Sequence, residues 1–335
     1  MALDLSVYDE NQHLEKWFRP LVNKSPAALL GEMSKIVTAY HNLKDFEKKE
    51  VIEAFENNQN IKEICKGNGN PKKYNHISNE AFRLLIDNFF ASLWLRLANK
   101  EDGVNAKVIE KCSTIMSHFS DFRKHPNHIT RICPFCGLNG LKPSFSPTRN
   151  SYDHYLPKAQ YPFVSVNFEN LVPMCHDCNS DEKGTDDTPF NGNVRRIVYY
   201  PYCDSFSDEH LDVVLSPKSE YKPDGYSTFL KDVGVDYYFT SNGIDDNRLK
   251  SWDSIFRVKG RYIEIVSDYE SIWFQDLLSE YQTLKETGRT FVEIKDKLIK
   301  DMQKEVVRTE RAIVHLSYLK YVLNIEDIEE DLDSV

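Results

Sequence analysis

Cys133-Pro134-Phe135-Cys136, Tyr152-Asp153-His154-Tyr155-Leu156-Pro157-Lys158 and Asn170-Leu171-Val172-Pro173-Met174-Cys175-His176-Asp177-Cys178-Asn179 share one window of the chain. Two Cys-x-x-Cys pairs predict a tetrahedral metal site. Zinc takes four thiolates at about 2.3 Å, and each Cys-x-x-Cys turn aims two sulfurs at one ion. Gly137 follows the first pair and permits the tight knuckle turn. The second pair is predicted at a helix N-terminus, where backbone amides favour thiolate. Cys133, Cys136, Cys175 and Cys178 are therefore the expected ligands of a structural Zn2+. Four merely buried or redox-active cysteines fit the paired spacing less well. His125 and His128 are competing donors, but four sulfurs already fill the shell.

The 38 residues from Gly137 to Met174 exceed what a simple zinc ribbon needs, so something is inserted. The insert carries Asp153-His154, flanked by Tyr152 and Tyr155 and ended by Pro157. Aromatic flanks predict a short strand over 151–155. Strand neighbours point to opposite faces, so Asp153 and His154 cannot both address one metal unless the strand bends. A helix beneath would bring Asn179 beside Asp153 and leave His154 to address a water. The bland alternative is a strand histidine that only hydrogen-bonds. A helix is predicted from about Cys175 through Lys183, stopped by Gly184.

Taken together, CPFC, YDHYLPK, ENLVPMCHDCN and Lys183-Gly184 resemble the HNH, or ββα-metal, endonuclease family, in its subgroup with a structural four-cysteine zinc site. The segment is similar to zinc-bearing members such as phage resolvase-type endonucleases, and the resemblance covers about 133–184. It implies His154 as the general base and Asp153 and Asn179 as ligands of one Mg2+ or Mn2+. Asn170 becomes the middle asparagine that ties the loop between strand and helix. Lys158 and Lys183 become candidate nucleic-acid contacts. A histidine near its ordinary pKa is mostly neutral at pH 7 and can take a proton from water. A hard ion held by a carboxylate and an amide keeps positions open for phosphate oxygens.

The remaining sequence sets the frame. A chain of 335 residues with 41% hydrophobic and 28% charged residues is globular and long enough for two or three domains. No apolar stretch can span a bilayer; Ala81–Ala98 is interrupted by Arg83, Asp87, Asn88 and Arg96. Met1-Ala2-Leu3-Asp4 lacks a basic patch before an apolar run, so no signal peptide is expected. Seven cysteines, four of them in Cys-x-x-Cys pairs, point to a reducing cytoplasm rather than disulfides. The net charge of −10 argues against a protein that coats DNA but not against a nuclease. Between Arg131 and Arg196 seven basic residues balance seven acidic ones, so a bound cation would make this stretch positive.

The expected fold class is α+β and mostly helical, with a central zinc-stabilised ββα-metal core between helical flanks. Residues 1–128 read as a helical domain, with helices over Pro26–His41, Asp45–Phe55 and Val104–Phe122. Ser78 is the expected cap of a further helix whose face includes Phe82, Leu85, Ile86, Phe89, Phe90, Leu93 and Leu97. Residues 129–204 read as the nuclease core, with a second strand over Ile197–Tyr200. Residues 205–335 read as α+β and then helical. Strands over Leu211–Leu215 and Asp236–Thr240 flank a Pro-Asp-Gly turn at 223–225. Helices follow over Arg248–Tyr269, Ile272–Glu286 and Phe291–Leu323, and six carboxylates between Glu326 and Asp333 form a solvated tail.

The functional expectation is a metal-dependent DNA endonuclease, RNA not being excluded as substrate, with an anti-phage defence role. One rival is an effector inactive until an ATPase or sensor partner licenses it, as in Septu-like defence pairs. Arg248–Tyr262 weakly resembles bacterial HNH proteins encoded beside ATPases, although burial of Trp252, Ile255 and Phe256 explains its spacing better. The other rival is a catalytically dead, zinc-organised nucleic-acid-binding module.

Overall fold

The structure is a computed structural model that describes residues 16, 19, 29–98, 114–124, 131–143, 145–203, 211–223, 229–241 and 246–334. Among the described residues it is mostly helical with three small antiparallel sheets. The chain forms two compact units with interleaved segments. Unit one is 1–122, 152–173 and 185–197; unit two is 123–151, 174–184 and 198–335. The boundaries fall inside the central window because its cysteine segments fold with the C-terminal helices.

Unit one begins with α1 (Gly31–His41), α2 (Asp45–Glu56), α3 (Ile61–Cys65) and α4 (Glu80–Ala98). The Glu47 side chain accepts from Lys44 N at 2.7 Å and starts α2. The cap of α4 is Asn79 rather than Ser78. Asn79 Oδ1 accepts from Phe82 N at 3.0 Å, while the Ser78 hydroxyl donates to Glu50 at 2.7 Å. Leu43, Val51, Ala54, Ile77, Phe82, Ile86 and Phe163 form the core. The helix expected from Val104 is described only over α5 (Ile115–Lys124), and the start of the Pro26–His41 helix also lies outside the described residues.

In the same unit β1 (Tyr152–His154) pairs antiparallel with β2 (Leu171–Pro173), Asp153 opposite Val172. The connection is pinned to α4 by Phe163, whose ring meets Phe90 edge-on at 5.5 Å. β3 (Phe190–Asn191) and β4 (Val194–Arg195) form a small hairpin. The strand expected over Ile197–Tyr200 is absent: Val198, Tyr199 and Tyr200 are buried, so their apolar character serves packing and not strand pairing.

Unit two pairs β5 (Leu211–Pro217) with β6 (Val235–Ser241), the two strands expected there; α6 (Leu230–Val233) lies between them in sequence. The 223–225 turn falls largely outside the described residues. The helical breaks differ from those expected. α7 (Asp246–Phe256) ends at Arg257, which has φ 47°, and α8 then runs unbroken from Val258 to Glu286. Asp253 Oδ1 accepts from Lys259 N at 2.9 Å and sets that break without a glycine. Arg311, φ 64°, divides α9 (Phe291–Glu305) from α10 (Ala312–Val322). The acidic end is not merely a solvated tail: α11 (Ile328–Ser334) buries Ile328 and Leu332.

Candidate metal centre and hairpin site

The knuckle lies in unit two. An isolated bridge between Ile132 and Gly140 closes its base, and Gly137, φ 67°, makes the turn. A Cβ on Gly137 would stand 3.0 Å from Ile313 Cγ2, so the turn also permits close packing against α10. Cys175 precedes, and Cys178 lies within, the helix Asp177–Lys183, which winds with i→i+5 bonds and stops at Gly184, φ 50°. The predicted helix is thus present, wider than an α-helix.

All four sulfurs are buried and lie within 4.8 Å of one another. Four sulfurs at tetrahedral corners about 2.3 Å from an ion stand about 3.8 Å apart. Cys136 Sγ and Cys175 Sγ are 3.8 Å apart. Backbone amides aim at the sulfurs: Leu138 N at Cys136 and Cys175 N at Cys133, both 3.4 Å, and Cys178 N at Cys175, 3.5 Å. Soft thiolates, tetrahedral spacing and an amide shell fit a structural metal such as zinc. Within the sulfur cluster, burial pushes Cys133 and Cys178 up, while donation from its three neighbours holds Cys175 down. His125 and His128, the competing donors, lie outside the described residues.

Residues distant in sequence hold this centre, and the motif alone does not reveal them. Arg261 of α8 donates to Cys178 Sγ at 3.3 Å and to Asp177 Oδ2 at 3.3 Å. Burial opposes its charge, yet the Cys178 and Cys136 sulfurs raise its pKa overall. A four-thiolate zinc site carries two surplus negative charges, and a guanidinium at this distance offsets one of them. Asn139 Nδ2 reaches Asp177 Oδ2 at 2.6 Å and Cys175 Sγ at 3.7 Å. Trp252 Nε1 donates to Phe135 O at 2.6 Å, and the Tyr262 hydroxyl to Cys136 O at 2.8 Å. Trp252, Ile255 and Phe256 are buried as the helix spacing predicted, but Trp252 also serves the knuckle.

The hairpin belongs to unit one. Asn170, fully buried, accepts from Leu156 N at 2.7 Å and donates to Leu156 O at 3.0 Å and Val164 O at 3.1 Å. Its own carbonyl accepts from Tyr155 N at 2.9 Å. One amide thus ties the end of β1 to the chain entering β2. His154 Nε2 stands 2.9 Å from Ser165 O. A carbonyl only accepts, so Nε2 carries the proton, and in the neutral ring the lone pair lies on Nδ1. The Trp94 edge meets the imidazole at a centroid distance of 4.4 Å. Lys158, exposed, lies 5.8 Å from the same indole. Asp153 is 5% exposed.

His118 of α5 anchors the other end of the hairpin. Its Nδ1 lies 2.7 Å from the Tyr152 hydroxyl, and its ring stacks on Phe168 at 4.8 Å. Burial pushes its pKa down to about 4, with Asp121 opposing.

The structure therefore gathers Asp153, His154, Lys158 and Asn170 in unit one, and Asn179, Lys183 and the four cysteines in unit two. Lys183 is 1% exposed, a placement that does not suit a phosphate contact. Trp94 and Ser165 were missed by sequence reasoning. An indole on a helix rich in core aromatics carries no signal of a histidine neighbour, and a backbone carbonyl carries none at all.

Among known proteins, the chain is 54% identical over 52 residues to Protein ea31 of Escherichia phage lambda. That stretch is 16% of this chain and 15% of the phage protein. No family model matches the chain, and no solved structure matches it. Among the described residues no helix is long and apolar enough to cross a membrane.

Proposed function

We propose that this chain is a metal-dependent endonuclease that hydrolyses DNA phosphodiester bonds, with His154 as general base. The observation that carries the reading is the Ser165 carbonyl on His154 Nε2, which leaves Nδ1 as the basic atom. Trp94 restrains the ring, so the base is oriented before substrate arrives. Asp153 and Asn179 offer hard oxygen donors suited to one Mg2+ or Mn2+. Their pairing rests on the sequence pattern, since they belong to different units. When bound, such an ion neutralises charge on the phosphate and the leaving 3′ oxygen. His154 takes the proton from the attacking water, and Lys158 offers an exposed cation for a flanking phosphate. In this reading the cysteine centre is structural and takes no part in the reaction. The likeness to a phage protein supports a phage-linked setting, and a role in anti-phage defence is part of the proposal on the sequence pattern alone.

The test is cleavage of supercoiled plasmid in Mg2+ or Mn2+, with single-stranded RNA as a parallel substrate. Asp153→Ala and Asn179→Ala are expected to lose activity, keep their zinc, and recover in part at high Mn2+. Asp153→Ala should lose more, because it removes the formal charge a hard cation prefers. Full activity of Asn179→Ala at low Mg2+ would move the second ligand elsewhere.

A further inference from the structure

Unit two carries a groove of about 830 Å3 along β5, remote in sequence from the cysteines and the hairpin. Its wall is the strand edge itself, since four consecutive residues, Asp212 to Leu215, line it. Lys218 N donates to Gly234 O at 2.9 Å, and the same register continues through Pro217 opposite Val235. In an antiparallel ladder the hydrogen-bonded pairs alternate. They therefore fall on Ser216–Asp236, Val214–Tyr238 and Asp212–Thr240. Leu211, Val213 and Leu215 turn their N–H and C=O groups away from β6. Among the described residues no strand pairs with that side of β5 and no partner bonds those groups. Pro217 belongs to the outward set too, so its missing N–H falls on the open side, where an edge strand tolerates proline.

An open seven-residue edge beside a groove is a template for strand addition. The groove's charge chooses the occupant. Asp212, Glu220, Glu326 and Asp327 oppose only Lys222 and Lys320, and Lys320 is already bound to Asp212 at 2.5 Å. A second copy would bring two acidic rims together, and nucleic acid would be repelled. We propose that the open edge of β5 docks an extended basic segment of a partner protein, which adds as a third strand. Main-chain bonds to Val213 and Leu215 would supply affinity, and the acidic rim would select lysine or arginine over acidic residues. This inference stands independently of the nuclease reading.

The experiment uses the full chain and a fluorescein-labelled Lys-Val-Lys-Val-Lys-Val peptide, read by anisotropy at low and physiological salt. Controls are the same peptide with alternate N-methylated amides and a Glu-Val counterpart. Binding is expected for the basic peptide, with each control weaker by about tenfold or more. Glu220→Lys combined with Glu326→Lys should weaken the basic peptide by a similar factor. Neither side chain belongs to the buried core, so the fold should be retained, as circular dichroism would confirm. Equal binding of the N-methylated peptide would overturn strand addition. No binding of the basic peptide, or unchanged binding by the double variant, would overturn the site. Dimerisation of the chain that excludes the peptide would assign the edge to a different occupant and overturn the proposal.

Discussion

The hairpin and the knuckle interleave in sequence but are held by opposite chemistry. In unit one, a neutral amide fixes the turn through three side-chain hydrogen bonds from Asn170. In unit two, four buried sulfurs converge with Arg261 set against Cys178. The first arrangement is complete with protein atoms alone. The second concentrates thiols that gain most from a shared cation. The contrast teaches that neighbouring stretches of one sequence can rely on different chemistry, a cluster of metal-ligating sulfurs in one and a neutral amide network in the other.

The largest expected effect breaks only one side of this contrast. Purified protein should carry about one tightly bound zinc. Structural zinc contributes roughly 10–16 kcal/mol of apparent folding energy in small modules, comparable with a whole domain's stability. Strong chelation or Cys175→Ser should therefore unfold the knuckle, read as rapid hydrogen exchange over 131–141 and 174–184. The amides of Tyr155 and Leu156, bonded to Asn170, should stay protected longer. A folded preparation without zinc would sink the ligand assignment.

Next in size is the reverse break. Asn170→Ala strands the buried Leu156 amide and two carbonyls, at about 2–4 kcal/mol. Urea unfolding should show that loss at unchanged zinc content. Asn170→Asp should not rescue it, because a carboxylate cannot donate to Leu156 O and Val164 O.

Much of this contrast is legible in sequence, for physical reasons. Cys-x-x-Cys spacing is local covalent geometry, and Gly184 stops a helix by its own backbone freedom. β5 and β6 declare themselves as short runs of β-branched, leucine and aromatic residues on either side of a Pro-Asp-Gly turn. The missed features depend on tertiary context. Arg257 and Arg311 adopt positive φ without glycine, so apolar spacing runs through both breaks unmarked. The acidic α11 buries Ile328 and Leu332 and ties Asp333 to Tyr281 and Lys285 of α8, contacts that two apolar residues in an acidic run do not announce. Arg261 reaches Cys178 from 83 residues away, and no local motif encodes that contact.

Smaller again is the sharpening test at Arg261. Arg261→Ala removes the charge-assisted bond to Cys178 and should weaken zinc binding about 10- to 100-fold in chelator competition. Arg261→Lys should recover part of this through charge, without the fork to Cys178 and Asp177.

The smallest effect concerns pH and the hairpin side. His118 titrates near 6.5 when unfolded and at about 4 when folded, so the unfolded chain binds more protons between these values. The stability of unit one should be full above pH 6.5 and fall as pH drops through that window, by about 2 kcal/mol at pH 5. His118→Gln should flatten this part of the profile in thermal melts from pH 7 to pH 5. An unchanged slope would assign the acid sensitivity to other groups.

The most direct test of scaffold and chemistry as separate things is His154→Ala, measured for zinc content and plasmid cleavage in one preparation. We expect about one zinc per chain, as in the wild type, with cleavage reduced by about 10²- to 10⁴-fold or more. Cleavage at the wild-type rate, or loss of zinc together with activity, would contradict the assignment of His154 as a base outside the cysteine centre.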